Sequence, residues 1–134
     1  MIAFRQMTPP DRAFIASSWF ESFRKSTNVG SDVYRNGQGP LIDSLISKHR
    51  PVIAYTPAVP DEILGWICRD LQAVHYVYVK QAYRRAGIAT QLWQLAPENL
   101  TPRWYTHQTR PGKVLAEKFG ARFNPYLLFP KESP

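Results

Sequence analysis

The stretch Val77-Tyr78-Val79-Lys80-Gln81-Ala82-Tyr83-Arg84-Arg85-Ala86-Gly87-Ile88-Ala89-Thr90-Gln91-Leu92 decides how the rest of the chain is read. It opens on β-branched and aromatic residues, the composition of a strand. It passes through a short basic turn. It then places apolar residues at Ile88, Leu92 and Leu95, four and three apart as on one face of a helix. The join is Arg84-Arg85-Ala86-Gly87-Ile88-Ala89, an Arg-x-x-Gly-x-Ala pattern. A turn of this kind can aim several backbone N–H groups at one anion, aided by the positive end of the helix dipole. Gly87 permits close approach because no Cβ stands between its backbone and a ligand.

The chain around this turn has 134 residues, 44% of them hydrophobic and 13% aromatic, enough for one folded domain with a real core. Its single cysteine, Cys68, excludes an internal disulfide framework and a multi-cysteine zinc site, and points to a reducing compartment. With no apolar run of spanning length and no charged-then-apolar leader, the expectation is a soluble, cytoplasmic protein without a membrane partner. The net charge of +7 suggests an anionic partner, but the basic residues are scattered. Nucleic acid, a polyphosphate cofactor and plain solubility all stay open at this point.

Ile2–Arg5 reads as a first strand. Thr8-Pro9-Pro10-Asp11 then starts a helix over residues 11 to 24, with Phe14, Ile15, Trp19 and Phe23 at helical spacing. Residues 26 to 40 are polar and contain three glycines, so a loop is expected there. A second short helix carries Leu41, Ile42, Leu45 and Ile46 and stops before Pro51. Strands follow at 51–55, 62–70 and 72–79, an antiparallel meander in which Gly65 hints at a bulge or a close approach. After the basic turn come a helix over 87–96, a strand over 103–108, a helix over 111–119 with Gly120 beyond its end, and a last strand over 122–129. The order β-α-α-β-β-β-α-β-α-β describes a mixed α/β (α+β) domain, one sheet with helices on both faces.

In this order the segments resemble the GNAT superfamily, the acyl-CoA-dependent N-acyltransferases. Phe4–Asp11 is similar to its opening strand, turn and first helix. Glu62–Ile67, with an apolar-Gly-aromatic step, resembles its third strand, and Tyr78–Ala89 its cofactor segment. Leu115–Ala121 resembles its penultimate helix and the glycine that precedes its final strand. The resemblance covers nearly the whole chain and implies a single N-acetyltransferase-like domain over residues 1–134. It further implies acetyl-CoA, or a related acyl-CoA, lying in a V where two strands splay apart. By the same resemblance the backbone of Val77, Tyr78 and Val79 would pair with the pantetheine arm. The N–H groups of Arg85, Ala86, Gly87, Ile88 and Ala89, with the Thr90 hydroxyl, would hold the pyrophosphate. Arg84 and Arg85 would add charge-assisted bonds.

The implied reaction is acyl transfer to an amine of a small molecule, peptide or protein. An amine with a pKa of ~10.4 is neutral at pH 7 about once in ~2,500 molecules, a penalty of roughly 4.6 kcal/mol, so the site must provide a route for the proton. A backbone N–H of the motif strand would stabilise the oxyanion. The usual groups for proton transfer are missing. Ala116 stands where many members carry a tyrosine acid, Ala73 where one subgroup places a glutamate base, and Thr109 replaces an asparagine. The catalytic candidates left are His75, read as sharing a strand face with Val77 and Val79, His107 at the end of the other splayed strand, and Glu62 opening the third strand. Tyr76, Tyr78 and Cys68 read as core, and His49 as a partner for the C-terminal dipole of its helix. The histidines lack metal-ligand spacing in sequence, so no metal is expected. The 26–40 loop is the expected lid over the acceptor. Two alternatives accompany this reading: acyl-CoA-dependent modification of nucleic acid, with Arg24, Lys25, Arg35, Lys48 and Arg50 as its surface, and a non-catalytic binder of CoA or a partner. Monomer and homodimer both fit.

Overall fold

A computed structural model describes residues 2–25, 31–70, 72–95 and 102–128. Its strands are β1 (Ala3–Gln6), β2 (Val52–Tyr55), β3 (Gly65–Arg69), β4 (Ala73–Val79), β5 (Trp104–Tyr105) and β6 (Arg122–Phe123), and they form one sheet in the order 1-2-3-4-5-6. Its helices are α1 (Arg12–Arg24), α2 (Ser31–His49), α3 (Ile88–Trp93) and α4 (Arg110–Lys118). The element order expected from the sequence holds. No helix among the described residues is long and apolar enough to cross a membrane.

The sheet changes character at β4. Strands β1 to β4 are antiparallel, whereas β5 pairs parallel to β4 and β6 parallel to β5. Parallel neighbours need crossovers, and α3 and α4 lie in the two connections. One face packs Ile67, Val74 and Val79 against Ile88, Leu92 and Trp93 of α3 and Ala116 of α4. The other packs Ile53, Trp66, Cys68 and Tyr76 against Ile15 and Trp19 of α1 and Ile42, Leu45 and Ile46 of α2. Helices therefore cover both faces. At the start of α1, Asp11 takes two hydrogen bonds from Arg5 (2.7 and 3.1 Å), and its Oδ2 takes one from the Thr8 N–H (2.8 Å). Strand β1 is thereby tied to the first helix.

Two expectations change. The segment read as a loop is helical from Ser31 onward and continues without a break into the expected second helix; residues 26 to 30 lie outside the described residues. Glycine in a helix costs about 1 kcal/mol and proline about 3. Gly37, Gly39 and Pro40 are accepted because α2 is anchored on either side of them. Tyr34 is buried, its hydroxyl donates to the Phe20 carbonyl (2.7 Å), and its ring lies 4.7 Å from that of Phe20. Ile42, Leu45 and Ile46 are buried on the other side. The last strand is likewise shorter than its composition suggests, because Pro125–Leu128 turns into a 3-10 helix after Phe123.

Gly65 is a close approach rather than a bulge. A Cβ on it would stand 2.6 Å from the Tyr78 carbonyl oxygen and 3.2 Å from the Val79 Cα. Gly65→Val is expected to cost about 2 kcal/mol, since neither neighbour is a flexible side-chain end. The urea midpoint checks this; an unchanged midpoint would mean that β3 and β4 separate without strain.

Candidate functional site

β4 is hydrogen-bonded on both edges only at its start. It pairs with β5 at Ala73–Trp104 and Val74–Tyr105, and the last bond is from the Thr106 N–H to the Val74 carbonyl (3.1 Å). Beyond Val74 the two strands part. Successive residues of a strand turn their backbone polar groups to opposite edges. The Lys80 N–H donates to the Leu64 carbonyl on the β3 side (2.9 Å), so Val77 and Val79 turn theirs to the open edge. Arg84 confirms the direction, because its Nε donates to the Val79 carbonyl from that side (2.9 Å).

The parting has a local cause. Cys68 faces Tyr76 and Arg69 faces Val74, so β4 carries one residue more than β3 there, and His75 sits in the bulge. The bulge also reverses the alternation. Val77 and Val79 stay on the α3–α4 face and Tyr76 on the α1–α2 face. His75 does not join Val77 and Val79 as the strand periodicity implied. Its ring stacks on that of His49 at the end of α2 (centroids 4.9 Å apart).

The open edge leads into the basic turn. Arg85 and Gly87 both have left-handed backbone (φ 69° and 78°), which costs glycine nothing and a residue with a Cβ about 1 kcal/mol. A Cβ on Gly87 would meet nothing within 4 Å, so the space above the turn is open. The first bond inside α3 runs from Gln91 N–H to the Gly87 carbonyl (3.0 Å), which leaves the N–H groups of Ile88, Ala89 and Thr90 without acceptors in the helix. No side chain caps them. Lys118 of α4 reaches the Thr90 hydroxyl (3.5 Å) and brings another cation to the turn.

Between β4 and β5 lies a narrow cleft with about 10 Å³ of free space, room for roughly one water molecule, and with His75, Val77, Trp93, Tyr105, His107 and Thr109 in its wall. The Trp93 indole N–H is buried and has no hydrogen-bond partner among the described residues. Thr109 caps α4 by accepting from the Gly112 N–H (3.1 Å).

No protein-family model and no curated protein matches the sequence, but solved structures match the fold. A possible acetyltransferase from Clostridium difficile 630 aligns over 100% of this chain and 99% of its own at a TM-score of 0.57 and 16% identity. Apo-form YjaB from Escherichia coli aligns over 69% of this chain and 61% of its own (TM-score 0.53, 17% identity). A GNAT family acetyltransferase from Brucella melitensis, solved in complex with acetyl-CoA, aligns over 90% and 71% (TM-score 0.50, 19% identity). This is the GNAT fold.

Within the GNAT fold of this chain, His75 and His107 come together and Glu62 does not join them. Glu62 precedes β3 and accepts a short hydrogen bond from the Tyr83 hydroxyl, beside the basic turn. His75 and His107 are buried and share a hydroxyl: Thr106 Oγ1 lies 2.9 Å from His75 Nδ1 and 3.2 Å from His107 Nδ1. Asp70 was not singled out from the sequence. Its Oδ2 is 3.1 Å from His75 Nε2, and its Oδ1 accepts from the Gln72 and Ala73 N–H groups. Burial would raise its pKa, but the bonds from His75 and those two N–H groups outweigh burial and hold the carboxyl well below its usual range. The one sequence signal was an aspartate in a turn before a strand, as common in Asx turns as in sites.

The fold also brings His49 Nε2 to 4.0 Å from Asp70, and the donor atoms of His49, Asp70 and His75 all lie within 4.8 Å of one another. Sequence spacing did not show this grouping. The His49 and His75 rings are stacked with planes 24° apart. The five basic residues considered for nucleic acid divide between the two ends of the α1–α2 layer. Arg24, Lys25 and Arg35 stand at one end and Lys48 and Arg50 at the other, since Arg12 at the start of α1 bonds Asp43 and Ser47.

Burial first, and His75 second, push His107 down to about 3. The groups around it are His75 and Tyr76 on β4, Trp19 and Phe23 on α1, Gln38 on α2 and the adjacent Thr106. An unfolded histidine titrates near 6.5, so below that pH the unfolded chain binds a proton that folded His107 refuses. Stability should therefore fall as pH drops from about 6.5 toward 3, by up to about 1.4 kcal/mol per pH unit. His107→Gln should flatten this slope in urea melts at stepped pH; parallel curves for variant and wild type would contradict it.

Proposed function

We propose that this protein transfers an acetyl or related acyl group from acetyl-CoA to an amine of a small molecule, peptide or protein, by direct attack of the amine on the thioester. The observation that carries the reading is the continuity of one surface. The unpaired edge of β4 at Val77 and Val79 runs straight into the left-handed turn at Arg85 and Gly87 and the free N–H groups opening α3. Pantetheine has amide groups that can pair with a strand edge, and its pyrophosphate suits a ring of N–H groups beside Arg84, Arg85 and Lys118. Arg84 now occupies the Val79 carbonyl. An amide of the cofactor arm taking that carbonyl would release the guanidinium toward phosphate.

The thioester would then lie near the bulge, where the strands part and the cleft is walled by His75, His107 and Trp93. The Trp93 N–H is a donor left for a carbonyl there. Ala116 is fully buried in the α3–α4 face, so no side chain at its place protonates the departing thiolate. The remaining chemistry is positioning of two reactants and removal of the amine's proton.

Acetyl-CoA at a hundred times its Kd should stabilise the protein by about 2.7 kcal/mol, read as a rise in melting temperature. Gly87→Val should remove that rise while costing the apo protein only about 1 kcal/mol, because it fills the space over the turn and strains a φ of 78°. Release of free CoA thiol with a panel of amines separates a transferase from a binder. No melting shift at millimolar acetyl-CoA would sink the reading altogether.

A further inference from the structure

A line of polar side chains leads from Gln38 of α2, by way of His107 in the cleft wall, to the turn before β4, and cofactor binding as proposed uses none of it. From α2 inward it runs Gln38 Oε1, His107 Nε2 (3.4 Å), His107 Nδ1, Thr106 Oγ1 (3.2 Å), His75 Nδ1 (2.9 Å), His75 Nε2 and Asp70 Oδ2 (3.1 Å). Its three inner members are 1%, 3% and 6% exposed, so water does not interrupt it. Each inner member has one donor and one acceptor to give, and such a line can be hydrogen-bonded in either of two directions.

Asp70 selects the resting direction. Its carboxylate needs a donor, so His75 carries its proton on Nε2 and accepts at Nδ1 from the Thr106 hydroxyl. The Thr106 oxygen then accepts from His107 Nδ1–H. That leaves the lone pair of His107 Nε2 facing Gln38, whose amide turned end for end can donate to it. The 3.4 Å contact to Gln38 is the longest of the line and the one an incoming amine can replace.

From this geometry we infer that Asp70, His75, Thr106 and His107 form a proton relay that takes the proton of the acceptor amine at His107 Nε2 and leaves the positive charge on His75 against Asp70. The inference rests on the acyltransfer reading given above. The step balances with no other reactant. As the amine nitrogen bonds to the thioester carbon, its N–H breaks and the proton joins His107 Nε2, while the C–S bond breaks and the sulfur keeps its electron pair as CoA thiolate. His107 Nδ1–H passes to Thr106, and the Thr106 proton passes to His75 Nδ1. His107 ends neutral with its tautomer reversed. His75 ends as an imidazolium donating to Thr106 and to the Asp70 carboxylate.

The surroundings suit this direction of travel. Burial keeps a charge off His107 itself, whose neighbours are the rings of Trp19, Phe23 and Tyr76. The carboxylate of Asp70 is held ionised, and its side chain is 30% exposed, which offers a way out to solvent. Stacked His49 is itself pushed down by burial and by His75, so it does not compete for the charge. Arg69 lies beside Asp70, and Lys48 acts on His49 at the same end. His107 is the catalytic base in this scheme, and His75, Thr106 and Asp70 act through it.

Thr106→Val keeps the shape and removes the hydroxyl, and Thr106→Ser restores it. With acetyl-CoA and an accepted amine, Thr106→Val should lose about a hundredfold in kcat with an unchanged KM for acetyl-CoA, and its rate should keep climbing with pH because the acceptor's proton must then be lost to water. Thr106→Ser should recover both the rate and the plateau of the pH profile. Wild-type kcat and pH profile in Thr106→Val would overturn the relay. Nitrogen-15 imidazole spectra test it without turnover: at neutral pH, His107 should hold its proton on Nδ1 and His75 on Nε2. The opposite tautomer on His107 would overturn the relay even if acetyl-CoA binds. Correct tautomers with no CoA binding and no thiol release would instead remove its premise, and with it the relay as a catalytic device.

Discussion

Val74 is the last residue of β4 with hydrogen-bonded strands on both sides, and one residue later the strand carries a bulge that its partner β3 does not match. A bulge bends its strand and increases the local twist, which works against the evenly spaced, slanted bonds of a parallel neighbour. β5 therefore leaves after two pairs, and the edge from His75 to Val79 stays open on the side where the basic turn begins. The cleft, the orientation of Val77 and Val79 and the inward turn of His75 all follow from that one offset.

Two ends of the site are built on different physics. At the turn, open space, left-handed backbone and unpaired N–H groups make a shallow, wet place for anionic groups, where positive charge is cheap to keep. At the bulge, burial dominates. His107 is kept neutral, Asp70 is kept ionised, and a charge formed in between finds its partner at Asp70. The tyrosine and glutamate that the resemblance implies are replaced by Ala116 and Ala73, both fully buried. Under the acyltransfer reading the proton route is thereby shifted from the helix to the sheet.

Much of the fold was legible because its signals are local. The period of two in β4, the four-and-three spacing after Gly87 and the prolines and glycines that punctuate the chain do not depend on distant neighbours. The α2 segment was misread for the opposite reason. Gly37, Gly39 and Pro40 speak against a helix, and what overrides them is the packing of Tyr34 onto Phe20 and Phe23 of another helix. The bulge at His75 was equally hidden, since one extra residue is defined only against the partner strand.

The sequence by itself determined the strand, turn and helix around Gly87 and the order of the elements. These rest on backbone preferences and hydrophobic spacing that each segment carries alone. Only the tertiary structure decided which polar groups meet. Gln38, His49, Asp70, His75, Thr106 and His107 are spread over 69 positions from Gln38 to His107, and no spacing rule links them. They meet because a bulge, a sheet edge and the end of a helix converge behind one cleft, and burial then sets their charges.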